Sequence, residues 1–157
     1  MSDTCLICNR IEMIISETNP YFVAELETGY VVIGDDQFFR GYTLFLCKEH
    51  VYELHELDTE FRTRFLNEMA QVSEAVFRAF KPKKLNYELL GNGDPHLHWH
   101  LFPRHENDPK PLGPIWDIDK SLRQSYKITS APEDLLQLKR QLLKKLKKTS
   151  SIRKIFS

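Results

Sequence analysis

Hydrophobic and polar positions change rhythm several times along the chain, and each change marks an element. Ile11, Ile14 and Ile15 fall at helical spacing and stop at Asn19-Pro20, which predicts a short first helix. Two β-rich runs follow, Tyr21–Ala24 and Tyr30–Ile33, with Thr28-Gly29 between them as a hairpin signal. Asp35-Asp36-Gln37 ends the second run, and Gly41 opens a third from Tyr42 to Cys47. Asp58 reads as an N-cap. After it Phe61, Phe65, Met69, Val72, Val76 and Phe80 recur every three or four residues, a long helix with one apolar stripe for packing on a sheet. Lys81-Pro82 closes it, and Leu85–Leu90 reads as a fourth strand. From His105 to Ala131 the chain is polar and broken by prolines, a long loop or flap with Trp116 as its anchor. Leu135, Leu138, Leu142 and Leu146 then mark a C-terminal amphipathic helix.

The most informative alternation is Pro95-His96-Leu97-His98-Trp99-His100-Leu101-Phe102-Pro103-Arg104. On a strand His96, His98 and His100 share one face, and Leu97, Trp99 and Leu101 the other. Half of the six histidines therefore stand in one row on a greasy base. A strand facing solvent seldom needs three imidazoles, and a buried row must satisfy every ring nitrogen. The turn before it, Gly91-Asn92-Gly93-Asp94-Pro95, is glycine-rich; its freed N–H groups, Gly93's among them, suit a phosphate, though a plain hairpin turn has the same composition.

Composition narrows the setting. At 157 residues the chain reads as one domain over 1–157, with a core at about 5–104 and a flap and helix over 105–157. Charge balances to zero, so no bulk excess draws it to nucleic acid or a membrane surface. No run approaches the ~20 apolar residues of a membrane span, and Met1-Ser2-Asp3-Thr4-Cys5 lacks the pattern of a secretory leader. Three cysteines, an odd number, argue against a disulfide framework, and together these features predict a cytoplasmic protein. Lys139, Arg140, Lys144, Lys145, Lys147, Lys148, Arg153 and Lys154 make the end basic, which reads as a solvated face; a tail for anionic partners has the same look.

Cys5-Leu6-Ile7-Cys8 has the spacing of a metal knuckle or of a redox pair. A redox pair follows a first strand, and only four residues precede Cys5, so metal is preferred. A structural zinc wants two more ligands, and His50 with one histidine of the row supplies them. Taken alone, His50 reads equally well as a surface loop residue. All three histidines of a straight strand cannot share one ion, because the outer two stand ~13–14 Å apart at strand rise. An end histidine on zinc and the others left for chemistry is the arrangement the spacing favours.

His-Leu-His-Trp-His-Leu-Phe, from His96 to Phe102, resembles the signature of the histidine triad (HIT) family of nucleotidyl hydrolases and transferases. Gly41 to His50 resembles the family's strand and following K-x-H segment, and Cys5/Cys8 match its zinc-bearing bacterial branch. The resemblance covers about residues 5–104. With the element order it implies an α+β fold: an antiparallel sheet of about five strands, a long packed helix and a C-terminal helix. It implies that His98 attacks an α-phosphorus to form a covalent nucleotidyl-histidine, that His100 assists beside the phosphate, and that His96 orients the site's edge. In zinc-bearing members His96 also completes the set Cys5, Cys8 and His50. The resemblance further implies a homodimer and a nucleotide substrate, either a dinucleoside polyphosphate or a nucleoside phosphoramidate. Rival readings are a nucleotidylyltransferase, a zinc-stabilised nucleotide-binding module and a metallohydrolase using the triad as ligands. Two departures stand out. The family's ribose-binding position falls within a residue of Gly34, so Asp35 is the candidate for the hydroxyls by proximity. The loop before the triad is short, leaving Asn92 as the candidate phosphate contact.

Overall fold

The computed structural model describes residues 5–128 and 131–157. Its frame is an antiparallel sheet ordered β4-β5-β3-β2-β1-β6. The strands are β1 Phe22–Glu25, β2 Gly29–Ile33, β3 Thr43–Cys47, β4 Lys84–Glu88, β5 His98–Arg104 and β6 Lys154–Ile155. The helices are α1 Leu6–Ile15, α2 Thr59–Phe80, α3 Lys120–Arg123 and α4 Pro132–Thr149. The expected α+β architecture is what the chain adopts, with one strand more than the apolar pattern announced. That strand, β6, is two residues long and exposed, too short for any alternation to register. It is held to β1 by Arg153 N–H on the Glu25 carbonyl (2.8 Å) and Phe156 N–H on the Val23 carbonyl (3.1 Å).

Local chemistry sets the helix limits. Asp58 caps α2 by accepting from Glu60 and Phe61 N–H, and Lys81 stops it in the left-handed region before Pro82. Phe65, Val72, Ala75 and Val76 of α2 are buried, as are Leu135, Leu138, Leu142, Leu143 and Leu146 of α4. The two helices lie side by side on one sheet face, α2 over β3 and β5 and α4 over β1 and β2. Glu68 of α2 is buried because it accepts the N–H groups of Glu27 and Thr28, tying the β1–β2 turn to the helix.

The other sheet face carries the chemistry. There Phe39, Tyr42, Phe102, Ile115 and Ile118 form a second, smaller core beneath the 105–128 segment. Arg104 is its hub: buried, it donates to Asp108 (3.0 Å), Asn86 Oδ1 (2.9 Å) and the carbonyls of Gly113 (2.9 Å) and Lys110 (3.2 Å). The expected flap is thus pinned by Arg104, Ile115 and Ile118, while Trp116 stays half exposed with the Arg123 guanidinium 5.9 Å from its ring. Residues 129 and 130 of that flap lie outside the described residues.

Candidate active site and metal centre

Alternation along β5 sends Leu101 into the helix-side core and Phe102 into the opposite one, so His98 and His100 share the second face with Phe102. The strand starts at His98, not at His96. Leu97 continues the pairing irregularly, giving its carbonyl to Cys47 N–H (3.0 Å) and its N–H to the Val51 carbonyl (3.0 Å). His96 lies just outside the strand, and its Nδ1 faces the N-terminal cysteines.

There Cys5 Sγ, Cys8 Sγ, His50 Nδ1 and His96 Nδ1 all lie within 4.8 Å of one another. Neighbouring donors are 3.6 Å (Cys5–His96), 3.5 Å (Cys8–His96), 3.2 Å (Cys8–His50) and 3.1 Å (His50–His96) apart. Tetrahedral zinc, with bonds of ~2.0–2.3 Å, spaces its donors by ~3.3–3.8 Å; two of these spacings fall in that range and two lie within about 0.2 Å of it, so the set suits the ion. The donor chemistry agrees. His96 Nε2 sits 2.8 Å from the Cys47 carbonyl, which can only accept, so Nε2 carries the hydrogen and Nδ1 the lone pair. Burial lowers the His96 pKa and keeps the ring in its ligand form. Burial, with Cys5 alongside, pushes the Cys8 thiol up to about 11, so two thiolates here need a cation between them. The four residues could hold a zinc ion in a closed structural site.

His98 is 5% exposed. Its Nδ1 lies 2.6 Å from the backbone carbonyl of His96, so Nδ1 donates and the lone pair resides on Nε2. One residue therefore serves two centres: the His96 ring faces the metal set while its carbonyl sets the tautomer of His98. The ring centroids of His98 and His100 are 4.7 Å apart, and His100 Nδ1 meets the Tyr42 hydroxyl at 2.6 Å. Burial, and secondarily the neighbouring His98, push the His100 pKa down to about 4.

The His100 shift has a measurable consequence. An unfolded histidine titrates near ~6.5, so between pH 6.5 and 4 the unfolded chain binds the proton that folded His100 refuses. Stability is expected to fall through that window by at most on the order of 3 kcal/mol from this group, and to level below it. Urea unfolding of wild type and His100→Gln across that range checks this: the difference between the two curves should shrink as pH falls.

His98 and His100 line a cleft with Arg10, Asp35, Asp36, Asp94, Gln124 and Lys127, floored by Leu6, Tyr21, Val32, Leu44 and Leu46. Asp35 is at the cleft, paired with the Arg10 guanidinium, which also lies 5.0 Å from the Tyr21 ring centre. Asn92 and Gly93 are exposed on their turn and stand outside the cleft wall; Asp94 is the turn residue that reaches it. Four residues at the site were not picked out from the sequence. Arg10 is placed by α1, whose first turn is set by Cys5 accepting from Cys8 N–H. Gln124 and Lys127 come from the far end of the flap, docked by Lys127 bridging to Asp36 and by Ile128 N–H on the Asp35 carbonyl (3.1 Å). Tyr42 carried only a strand signal.

The family model of the HIT domain matches residues 16–107. Protein hit of Bacillus subtilis (strain 168) is 26% identical over 151 residues, covering 92% of this chain and 96% of that protein. Among solved structures, a histidine triad protein from Marinobacter aquaeolei VT8 superposes with a TM-score of 0.70 at 25% identity, over 82% of this chain and 90% of that one. A zinc-bound histidine triad family protein from Mycobacterium smegmatis shares the fold at a TM-score of 0.61 and 21% identity, over 92% of this chain and 96% of that one.

Proposed function

The chain belongs to the HIT domain family, whose members act on nucleotides, and from that premise we propose that it hydrolyses a nucleotide at its α-phosphate through a covalent intermediate on His98. The substrate is a dinucleoside polyphosphate or a nucleoside phosphoramidate. The observation that carries this reading is the 2.6 Å bond from His98 Nδ1 to the His96 carbonyl, which leaves Nε2 as a lone-pair nitrogen on a residue of the cleft. In the first step Nε2 forms a bond to phosphorus, and the bond to the leaving group breaks with its electron pair. A departing nucleoside phosphate needs no proton, whereas a departing amine takes one from water. The nucleotidyl-imidazolium keeps its Nδ1–H on the His96 carbonyl, and its positive charge makes it a good leaving group. In the second step water forms the P–O bond, the P–N electron pair returns to Nε2, and a proton goes to solvent. His100 donates a hydrogen bond to the phosphoryl oxygens as charge develops. Asp35 takes the ribose hydroxyls, with Arg10 holding its carboxylate in place. Zinc, where bound, holds Cys5, Cys8, His50 and His96 together and supplies rigidity.

Brief exposure to substrate, acid quench and intact-mass measurement tests the intermediate. A nucleoside monophosphate adduct on His98 is expected; steady turnover with no adduct at any time would end the covalent reading. Products resolved by phosphorus NMR, with and without a sugar phosphate acceptor, separate hydrolysis from nucleotidyl transfer. Turnover slower than spontaneous hydrolysis would leave the binding-module reading standing. Three free cysteines accord with a reducing, cytoplasmic setting. Among the described residues no helix is long and apolar enough to cross a membrane.

We also propose that the protein is a homodimer through β4. That strand ends the sheet, and a groove of about 970 Å³ runs along it between Lys84, Tyr87, Glu88 and Leu112. Antiparallel pairing of two copies centred on Asn86 sets Lys84 opposite Glu88 twice and Leu85 opposite Tyr87 twice, each pair on one face. Glu88 Oε2 is buried with no hydrogen-bond partner among the described residues, and burial raises its pKa; the partner's ammonium would answer both. Light scattering should give twice the chain mass for wild type, monomer for Lys84→Glu, and dimer again for Lys84→Glu with Glu88→Lys.

A further inference from the structure

Tyr42 stands just before β3 with its ring packed face to face on Phe102, centroids 4.2 Å apart and planes at 9°. Gly34 lies against it so closely that a Cβ there would sit 2.1 Å from the ring, so glycine at 34 is what lets Tyr42 occupy its place. The hydroxyl has one hydrogen-bond partner among the described residues, His100 Nδ1 at 2.6 Å. If Nδ1 carried the hydrogen, the buried phenol O–H would be left without an acceptor, a loss of ~1–3 kcal/mol. If the phenol donates, both groups are satisfied.

We infer that Tyr42 is a positioning residue for the reaction: by donating to Nδ1 it holds His100 as the Nε2–H tautomer, so that the one free N–H of that ring serves the phosphoryl group. The role rests on the hydrolytic reading of the same cleft and explains how His100 can be a donor without being charged. Burial raises the phenol's pKa well above the usual tyrosine value, so it remains a donor throughout the working range. The depressed pKa of His100 keeps its ring neutral at pH 7. A neutral ring would otherwise divide between two tautomers, one of which turns a bare lone pair toward an anionic phosphate.

The test reads the tautomer directly. Full-length protein labelled with nitrogen-15 on histidine is examined by long-range proton–nitrogen correlation at pH 7, with His100→Gln to assign the ring. Wild type should show His100 with hydrogen on Nε2, and Tyr42→Phe should show a mixture of tautomers. In parallel, Tyr42→Phe should lower kcat by about 10-fold with KM within about 2-fold, because the lost contact acts on charge that develops in the transition state. A wild-type ring with hydrogen on Nδ1 overturns the inference, whether or not the variant folds. So does a Tyr42→Phe ring that stays wholly Nε2–H. If the tautomer shifts as expected while wild type turns over no nucleotide, the hydrolytic reading fails and the hydrogen bond stands.

Discussion

His98→Ala is expected to lower kcat/KM by at least about 10³-fold and to abolish the covalent adduct, while the circular dichroism spectrum and the zinc content stay as in wild type. The size follows from what is removed. Nε2 of His98 is the atom that bonds to phosphorus, and water has no substitute for it in a two-step route. The other cleft residues remain to bind substrate, so KM should move far less than kcat. His100→Ala removes one hydrogen-bond donor and leaves the nucleophile, so its loss should be smaller, about 10²-fold. Full activity in His98→Ala would refute the covalent route, and equal losses for both variants would mean that the two rings act as one proton relay.

Removal of zinc is the second large effect expected. Cys8→Ser, or exhaustive dialysis against a chelator, should destabilise the fold by on the order of 3–5 kcal/mol, which at this chain length corresponds to roughly 10 °C in Tm. The site joins α1, the segment after β3 and the segment before β5, so its loss frees three otherwise separate parts of the chain. Activity should fall with stability, because the His96 carbonyl that orients His98 belongs to a residue of the metal set. Calorimetry, metal analysis and turnover on the same preparations check the prediction, and activity should return when zinc is restored. Stoichiometric zinc retained in Cys8→Ser would show that the ligands lie elsewhere. Unchanged turnover in folded, zinc-free protein would show that His98 keeps its orientation unaided. A metallohydrolase using the triad as ligands would instead keep its ion and its turnover in Cys8→Ser, since its ligands would be the histidines.

Much of the frame was legible residue by residue. The Phe61-to-Phe80 stripe announced α2, the four leucines announced α4, and the β-branched runs announced the first three strands, because burial on one face imposes a period that a reader can count. The start of α1 was less clear, since a cysteine caps it and Ile7, the first position of the apolar stripe, lies inside the cysteine pair. The strand β6 was invisible, having two residues and partners more than a hundred positions away. The histidine alternation pointed to one face of one strand, and two of the three rings stand so. The third precedes the strand and joins the cysteines and His50, the place expected of an end histidine.

From the chain's own order of residues came the pairing of a cysteine knuckle with a histidine row, the helices that cover the sheet, and the α+β class; these depend on neighbours three or four positions apart at most. The spacing left open which end histidine joins the zinc set, and the family resemblance named His96; only the tertiary structure decided which nitrogen of His98 is left with a lone pair, and that Arg10, Lys127 and Tyr42 stand at the cleft. Those choices are made by contacts such as Cys5 to His96 and Tyr42 to His100, 91 and 58 positions apart. A hydrogen bond or a ligand set between such residues has no local pattern to betray it, because nothing but the folded backbone brings its members together.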